Sequence, residues 1–254
     1  MMWTLKDKVA LVTGSSRGIG AAIARSFAEA GACVALHGRD ETALRARQSE
    51  LDRLGARVIA VRAEVTRFDQ IEGLRRQIED RLGPVDLLVA NAGGNPSPPG
   101  PLEATDENAW HAAIDANLTT TFLTIKSFLP GMKARRRGAI ITMSSAAARR
   151  GHPGSPIPYA AAKAGIQILT QHVAAQAGPY NVRVNCIAPE TILTERNDAL
   201  IPAAQRQQLV DNHPLRRLGL PDDVATAALF LASDQSGWIT GVILDIAGGA
   251  VMST

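Results

Sequence analysis

The order of apolar runs and amphipathic stretches constrains the fold of this chain more than any other feature of its sequence. Short runs of four to six residues, rich in branched side chains, are typical of strands buried on both faces of a parallel sheet. Such runs occur at Val9 to Val12, Cys33 to Leu36, Val58 to Val61, Val85 to Val89, Ala139 to Met143, Val182 to Ile187 and Val242 to Ile246. The sequence therefore predicts a sheet of buried strands.

Longer stretches with helical periodicity separate most of these runs. They are Ile19 to Ala30, Glu41 to Leu54, Asp69 to Leu82, Glu107 to Met132 and Ala160 to Ala177. Several of them are followed by a glycine, as helices commonly are. The alternation of strand and helix, with no linker and no internal repeat, predicts a single α/β domain over residues 1–254. We expect a doubly wound parallel sheet between helices, in three layers.

Composition and charge exclude several classes of protein. A hydrophobic share of 46% over 254 residues is enough for a full core. The 27 Lys and Arg nearly balance the 24 Asp and Glu, which argues against a nucleic-acid partner. The charged amino terminus and the lack of a long apolar run predict a cytoplasmic protein with no membrane partner. We expect Cys33 and Cys186 to be buried free thiols, and no residues have the spacing of metal ligands.

A glycine-rich turn follows the first predicted strand and opens the first predicted helix. Gly14, Gly18 and Gly20 have the spacing Gly-x-x-x-Gly-x-Gly, which differs from the Gly-x-Gly-x-x-Gly pattern of many dinucleotide sites. Backbone amides in such a turn and the amino end of the helix can receive a pyrophosphate. We interpret the turn as a phosphate site. The alternative is a glycine-rich connection that binds nothing.

The end of the second predicted strand bears on the choice between NAD and NADP. An acidic residue there, about 20 residues past the glycines, would select the unphosphorylated ribose of NAD. The chain instead has Gly38 followed by Arg39, and Arg17 lies in the turn. Arginines can pair with a 2′-phosphate, so the sequence favours NADP over NAD. The alternative is that Arg39 and Asp40 are surface charges at the start of a helix.

Tyr159 and Lys163 are four residues apart, so on a helix their side chains leave the same face. A cation beside a phenol favours the phenolate and lowers a pKa that is ordinarily about 10. The pair is therefore a candidate proton donor. The alternative is a solvated face of an alanine-rich helix.

Several groups of residues together resemble the short-chain dehydrogenase/reductase family over nearly the whole chain. They are Thr13 to Gly20, Asn91 to Gly93, Tyr159 with Lys163, Asn185 to Pro189, Arg216 to Gly219, Pro221 to Ala225, and Ile239 to Gly249. Within the family, the chain is most similar to the 3-oxoacyl-carrier-protein reductase-like members. The resemblance implies a Rossmann fold and an enzyme that uses NAD or NADP.

The resemblance implies a catalytic tetrad of Asn117, Ser145, Tyr159 and Lys163. Tyr159 would exchange a proton with the substrate oxygen, while Lys163 would lower the Tyr159 pKa and hold the nicotinamide ribose. Ser145 would hydrogen-bond the substrate oxygen, and the Asn117 backbone would anchor a water chain leading to Lys163. Ser144 is adjacent to Ser145, and we expect Ser145 to be the serine that points into the cleft. The segment between Ser145 and Tyr159 is one residue longer than is usual in the family.

The resemblance also implies the residues that hold the cofactor. They are Gly14, Ser16, Arg17, Gly18, Ile19 and Gly20 in the turn, Arg39, Glu64 and Val65 near the adenosine, Asn91, Ala92 and Gly93 beside its ribose, Tyr159 and Lys163, and Pro189, Ile192 and Thr194 around the nicotinamide. Glu64 stands where the family usually has aspartate, and Glu190 where it normally has glycine. We expect the Glu190 carboxylate to lie near the substrate mouth and to disfavour anionic substrates.

The sequence thus predicts an NADP-dependent oxidoreductase that transfers a hydride between nicotinamide and a carbonyl or secondary alcohol, with a 3-oxoacyl thioester as the favoured substrate. The alternatives are a dehydrogenase of a sugar, polyol or other small alcohol, and a non-catalytic cofactor sensor or scaffold. We expect residues 195–213 to form a mobile substrate lid. The basic run of Lys133, Arg135, Arg136 and Arg137 is expected to be a solvated helix end, with docking of an acyl carrier protein as the alternative. The resemblance implies a homotetramer built on the Tyr159 helix.

Overall fold

A computed structural model of the protein describes residues 3–95, 98–152 and 154–252. Pro96 and Ser97 of the predicted loop from Gly93 to Pro101 lie outside these residues, as does Pro153 of the segment before Tyr159. The strands of the described residues are β1 (Val9–Val12), β2 (Cys33–Gly38), β3 (Val58–Arg62), β4 (Leu87–Ala90), β5 (Gly138–Met143), β6 (Val182–Pro189) and β7 (Ile243–Ile246). They confirm the predicted strands, with ends that differ by at most two residues.

The described α-helices largely follow the predicted pattern. They are α1 (Gly18–Glu29), α2 (Glu41–Arg53), α3 (Phe68–Arg81), α4 (Glu107–Ile114), α5 (Thr120–Arg135), α6 (Ile157–Ala177), α7 (Glu195–Leu200), α8 (Ala203–Asp211) and α9 (Pro221–Ala232). The stretch predicted to be helical from Glu107 to Met132 is helical throughout, with a π-helical turn, Asp115–Thr119, between α4 and α5. None of the helices in the described ranges is long and apolar enough to cross a membrane.

The strands form one parallel sheet in the order β3-β2-β1-β4-β5-β6-β7. The chain winds outward in one direction from β1 to β3 and in the other direction from β4 to β7. The direction changes between β1 and β4, which pair directly, with Leu11 opposite Leu88. In open α/β sheets, ligands bind at this switch point, outside the carboxyl ends of the strands. The topology therefore indicates a candidate ligand site at the loops that follow β1 and β4.

Two hydrophobic clusters cover the two faces of the sheet and produce the three layers. On one face, α1 and α9 pack through residues such as Phe27 and Leu231. On the other face, α3 and α5 pack through residues such as Leu74 and Phe128. By contrast, α7 and α8 have no buried residue and lie outside both clusters. These two short helices occupy the predicted lid segment, and we refer to them as the lid helices.

Candidate active site

A cleft of about 1080 Å³ opens at the carboxyl end of the sheet. Most of the site residues predicted from the sequence line it: Gly14, Ser16, Arg17, Gly18, Ile19, Gly20, Asn91, Gly93, Ser145, Tyr159, Lys163, Pro189, Ile192 and Thr194. Arg39, Glu64, Val65, Ala92 and Asn117 do not form part of this lining. The structure thus brings the glycine turn, the Tyr159 pair and the loop after β6 together around one space.

The glycine turn after β1 is open because its glycines carry no side chains. Gly14 and Gly18 have positive φ angles of 66° and 57°, in the left-handed region that favours glycine. A Cβ on Gly20 would lie 2.3 Å from the Gly14 carbonyl oxygen, and one on Gly18 would lie 3.1 Å from Cγ2 of Thr194. This backbone cradle at the start of α1 fits the pyrophosphate of a dinucleotide, which needs close approach to backbone amides.

Side chains beneath the turn hold its backbone in place. The Asn91 Nδ2 donates to the Thr13 carbonyl at 2.9 Å and to the Gly14 carbonyl at 3.2 Å. The buried His37 accepts the Gly14 N–H at Nδ1, and its Nε2 contacts the Ala63 carbonyl at 3.1 Å. Because a carbonyl only accepts, the hydrogen of His37 is on Nε2. Burial lowers the pKa of His37, in keeping with a neutral ring. Sequence reasoning did not assign His37 this role.

Two arginines flank the end of β2, where the adenosine ribose of a dinucleotide would lie. Arg17 forms an ion pair with Asp40, which also caps α2 by accepting the Ala43 N–H. The Arg39 Nη1 lies 3.7 Å from Oε2 of Glu64, and the Arg39 side chain is 80% exposed. Both guanidinium groups therefore stand at the surface beside the cleft. Val65, the neighbour of Glu64, is buried.

Tyr159 and Lys163 lie at the start of α6 and face the end of β5. The Lys163 Nζ donates to the Met143 carbonyl at 2.8 Å and lies 5.6 Å from the centre of the Tyr159 ring. Burial lowers the pKa of Lys163 to about 8. Burial also raises the pKa of Tyr159, and a hydrogen bond from Ser145 offsets only part of that rise. The expectation of a lowered Tyr159 pKa is therefore wrong for this arrangement, because loss of solvent around the phenol dominates.

The two adjacent serines after β5 have different surroundings. The Ser144 hydroxyl is buried, donates to the Lys163 carbonyl at 2.8 Å and accepts from Nε2 of Gln167 at 2.9 Å. The Ser145 hydroxyl accepts the Ala147 N–H at 3.2 Å and is hydrogen-bonded to Tyr159. Ser144 thus fastens β5 to α6, whereas Ser145 stands beside the phenol in the cleft.

Asn117 lies within the π-helical turn and is fully buried. Its Nδ2 donates to the carbonyls of Gly94 at 2.8 Å and Ala113 at 2.9 Å, and its Oδ1 accepts the Gly94 N–H at 3.2 Å. Its own carbonyl accepts from the Thr121 hydroxyl at 2.8 Å. The side chain therefore fastens the loop after β4 to this helix. A Cβ on Gly93 would lie only 2.7 Å from the Asn117 Oδ1, so Gly93 permits the contact.

The loop after β6 carries Glu190 at the edge of the cleft. One oxygen of the Glu190 carboxylate accepts the Thr191 N–H and lies 2.7 Å from Nε2 of His213. The charge therefore does not stand free in the cleft, which removes the basis for the expectation that it repels anionic substrates. Sequence reasoning missed this contact because 23 positions separate the two residues.

A second long-range contact that the sequence did not reveal holds the segment after Ser145. The Arg149 Nε lies 3.1 Å from Oδ1 of Asp245 on β7, and its Nη1 lies 3.4 Å from Oε1 of Gln167 on α6. Both members of the ion pair are mostly shielded from solvent. Arg149 thus ties the segment between Ser145 and Tyr159 to the sheet and to the Tyr159 helix.

The basic run at the end of α5 lies at the opposite edge of the sheet from the cleft. The Arg135 guanidinium donates to the Val85 carbonyl at 2.7 Å, and the Arg137 Nε lies 3.3 Å from Oδ1 of Asp86. Val85 and Asp86 precede β4, whereas the cleft opens after β4. Lys133 lies over the ring of Tyr180, 4.9 Å from its centre. The run is therefore engaged in contacts within the chain.

Comparisons with known proteins agree with this architecture. A family model described as enoyl-(acyl carrier protein) reductase matches residues 14–251. The 3-oxoacyl-[acyl-carrier-protein] reductase of Vibrio cholerae is 39% identical over 248 residues, which cover 98% of this chain and 99% of that protein. The chain therefore belongs to the short-chain dehydrogenase/reductase family, as its motifs predicted, and it is an NAD(P)-dependent oxidoreductase.

Two solved structures resemble the protein closely but differ in what they contain. A 7α-hydroxysteroid dehydrogenase complexed with NADH and 7-oxo glycochenodeoxycholic acid gives a TM-score of 0.93 at 35% identity, covering 98% of this chain and 96% of that one. A gluconate 5-dehydrogenase from Burkholderia cenocepacia in complex with NADP and tartrate gives 0.92 at 32% identity, covering 99% and 98%. Similar folds thus bind either nicotinamide cofactor and different small molecules.

Proposed function

We propose that the protein is an NADP-dependent oxidoreductase that transfers a hydride between nicotinamide and a carbonyl or secondary alcohol, with a 3-oxoacyl thioester as the first substrate to test. The observation that carries this proposal is the meeting of Tyr159, Ser145 and Lys163 with the glycine turn in one cleft. In this proposal, residues 1–254 act as one cofactor-binding unit. The bound cofactor would supply the hydride.

The chain's own residues would control the proton. The phenol of Tyr159 has an ordinary pKa of about 10, which burial raises, so it is protonated near neutral pH, and this is the form that donates to a carbonyl oxygen during reduction. Ser145 would donate a hydrogen bond to the same oxygen and stabilise its developing charge. Lys163 would hold the nicotinamide ribose and favour the phenolate after proton transfer. Asn117 would keep the loop after β4 against its helix and present its backbone to water leading to Lys163.

The preference for NADP rests on the surroundings of the β2 end. Arg17 and Arg39 offer guanidinium groups at the surface. Such groups suit a 2′-phosphate, which forms charge-assisted hydrogen bonds with arginine. Asp40 and Glu64 compete for the same arginines, so NAD is the alternative cofactor.

The proposed substrate class has one alternative. A sugar, a polyol or another small alcohol is the alternative to a 3-oxoacyl thioester, as the gluconate and steroid enzymes among its structural relatives suggest. A carrier protein that delivers an acyl group would have to dock near the cleft, and the basic run lies at the other edge of the sheet. We also propose a homotetramer built on α6, whose Ile168 is exposed. Cys186 is a buried free thiol as expected, whereas the free thiol of Cys33 is half-buried, and we propose a reducing cytoplasmic location for both.

The test compares the parent protein with Tyr159→Phe and the control Tyr180→Phe. NADPH and NADH consumption is measured with acetoacetyl-CoA, a 7-oxosteroid and 5-ketogluconate, and cofactor affinity is measured by fluorescence titration. Loss of a general acid typically costs 10²- to 10⁴-fold, so we expect kcat to fall by about that factor in Tyr159→Phe with cofactor affinity little changed. Tyr180, which is exposed at the far edge, should be replaceable without effect.

Binding of NADPH without turnover in both the parent and Tyr159→Phe would favour a cofactor sensor or scaffold instead. Turnover that survives Tyr159→Phe undiminished would refute the assignment of Tyr159 as the proton donor. Equal catalytic efficiency with NADH and NADPH would refute the NADP preference alone.

A further inference from the structure

The two ends of the segment that contains the lid helices meet at one short loop, residues 190–194. At the first end, Thr194 caps α7 by accepting the Asn197 N–H at 3.2 Å, and the Asn197 Nδ2 donates to the Ile192 carbonyl at 2.8 Å. At the second end, the chain leaves α8 and reaches His213, which contacts Glu190. No residue of the helices between these points is buried, so α7 and α8 are held by polar contacts at this loop and by Arg196, which donates to the Asn95 carbonyl at 3.4 Å.

Both ring nitrogens of His213 face hydrogen-bond acceptors. The His213 Nδ1 lies 2.6 Å from the Leu209 carbonyl, and its Nε2 lies 2.7 Å from Oε2 of Glu190. A carbonyl only accepts, so Nδ1 carries a hydrogen. A carboxylate also only accepts, so Nε2 carries a second hydrogen when Glu190 is ionised. An imidazolium facing a carboxylate satisfies both hydrogen bonds, and charge-assisted bonds of this kind are the strong ones.

The pair is held between fixed backbone segments. His213 is 3% exposed, and its ring lies against Gly248, where a Cβ would be 3.3 Å from Cδ2 of the histidine. The Leu215 N–H donates to the Gly248 carbonyl at 3.1 Å, and the Glu190 N–H donates to the Ile246 carbonyl at 3.1 Å. His213 and Glu190 are thus both anchored to the end of β7 and the turn that follows it, so their contact is pre-organised.

The Glu190–His213 pair holds the loop of residues 190–194. In the proposed function, this loop borders the nicotinamide end of the cleft. Gly219 donates its N–H to the Thr191 carbonyl at 3.1 Å and accepts the Leu193 N–H at 2.8 Å, which fixes the middle of the loop. Glu190 lines both the main cleft and a smaller cavity of about 280 Å³ behind it. A change at Glu190 or His213 would therefore alter the position of the lid helices and the wall of the cleft together.

We propose that Glu190 and His213 are positioning residues, which set the lid helices over the substrate end of the cleft through their mutual contact. This inference rests on the proposed function for its kinetic readout, but its structural readout does not. Neither residue touches the reacting atoms in this proposal. Replacing Glu190 or His213 should weaken substrate binding and not proton transfer, because a displaced lid leaves the proton donor Tyr159 intact.

The kinetic test is a double-mutant cycle of Glu190→Ala, His213→Ala and the double variant. Each single change should raise KM for the carbonyl substrate about tenfold, with kcat altered less than about threefold, since one charge-assisted contact is lost. The double variant should show about the same tenfold rise, because both changes remove one contact. Glu190→Gln keeps an acceptor at this position and should restore part of the loss.

The structural test uses trypsin, which cleaves after Arg196 on α7 and Arg206 on α8. In native protein without substrate, the two alanine variants should be cleaved at these sites about tenfold faster than the parent. Cleavage after Arg81, at the end of α3, reports general unfolding and should not change. Asp223→Ala is the matched control, because it breaks a neighbouring ion pair with Arg217 that does not involve the loop of residues 190–194.

A KM rise of about a hundredfold in the double variant, the product of two tenfold effects, would show that Glu190 and His213 act independently. It would refute the proposal that they act through their mutual contact. The proposal would also be overturned if the alanine variants of Glu190 and His213 showed only a lower melting temperature, as in Asp223→Ala, with KM and cleavage of the lid helices unchanged. The pair would then have a structural role alone. If the parent turns over none of the substrates, the proposed function fails, and the trypsin comparison still decides the role of the pair.

Discussion

The glycine-turn end of the cleft, where we propose that cofactor phosphates bind, and the lid end, where we propose that substrate binds, are held in shape by different kinds of contact. At the glycine-turn end, backbone approaches backbone so closely that a Cβ on Gly20 would lie 2.3 Å from the Gly14 carbonyl oxygen. At the lid end, no residue of α7 or α8 is buried, and these helices are held by polar contacts of side chains such as Arg196, Asn197 and His213. Backbone geometry leaves little freedom to vary the first end. Individual side-chain pairs at the second end can be exchanged one at a time, which suits a family whose members share a cofactor site and differ in substrate.

Gly20→Ala should have the largest effect, because the added methyl group overlaps a backbone atom that cannot move away freely. Overpacking typically costs about 1–3 kcal/mol, and a loss of about 3 kcal/mol at the turn that receives the cofactor corresponds to a fall of about 100-fold in cofactor affinity. Fluorescence titration with NADPH and thermal unfolding measure the two consequences. Gly73→Ala on α3 is the matched control: nothing lies within 4 Å of its added Cβ, and alanine should stabilise the helix slightly. Equal cofactor affinity in the two variants would contradict the backbone constraint.

The second prediction concerns Lys163, which lies where the two ends of the cleft meet. The pH dependence of stability measures the cost of burying its charge. Its pKa of about 8 lies below the ordinary value of about 10.4, so between these values the unfolded chain binds more protons than the folded one. The contribution of Lys163 to the free energy of unfolding is therefore lowest below pH 8, and it rises until the pH exceeds the pKa of lysine in the unfolded chain. Over this range the free energy of unfolding should increase by roughly 3 kcal/mol.

Urea unfolding from pH 7 to pH 11 checks this prediction by comparing the parent with Lys163→Met at matched protein concentration. The methionine variant keeps the length of the side chain but has no charge, so other titrating groups cancel in the difference. The difference in unfolding free energy should move in favour of the parent as pH rises. A difference that is constant with pH would show that Lys163 is not desolvated to this extent.

Arg39→Ala examines the cofactor end without disturbing its backbone. The side chain is 80% exposed and only loosely paired with Glu64, so stability should not change. KM for NADPH should rise about tenfold, because a charge-assisted bond to the 2′-phosphate is lost, while KM for NADH should stay within about twofold. Steady-state kinetics with both cofactors measure the ratio. Arg45→Ala on α2, which removes an exposed arginine paired with Glu41, serves as the control, and equal effects of the two variants would refute a specific role for Arg39.

Leu200→Ala should have the smallest effect and should be confined to the lid end. Leu200 is 65% exposed on α7 and lines the cleft, so it has little to contribute to stability. We expect KM to rise about threefold for substrates with an apolar substituent, with cofactor affinity unchanged. Leu54→Ala, at the exposed end of α2, is the control for loss of a surface leucine. A fall in cofactor affinity in Leu200→Ala would show that the two ends are less separate than their contacts indicate.

The difference between the two ends also explains which features the sequence could predict. The strands, the glycine turn and the Tyr159–Lys163 pair are local patterns, so their residues are neighbours in the chain and their spacing carries the geometry. The π-helical turn at Asn117 escaped prediction because its hydrogen bonding depends on where the flanking helices pack. The pairing of Glu190 with His213 and of Arg149 with Asp245 escaped it because no local pattern links residues so far apart.

The direction of the Tyr159 pKa could not be obtained from spacing either. Four residues of helix place the ammonium of Lys163 near the phenol, as predicted, but spacing says nothing about how much solvent surrounds each group. In the folded protein, burial raises the pKa of Tyr159 and lowers that of Lys163, so both shifts favour the neutral form.

The π-helical turn, Asp115–Thr119, has a consequence for chain length in this part of the molecule. A π-helical turn holds one residue more than an α-helical turn, so the extra residue is taken up within the turn and the helix beyond it keeps its phase. In that phase α5 buries Ile125, Phe128 and Met132. Deleting a single residue from the turn would therefore restore a regular helix and leave the apolar stripe of α5 facing its partner. The same deletion within α5 itself would rotate the residues after it by about 100° and turn them away, so this turn is the place along the helix where a change of one residue in chain length is tolerated.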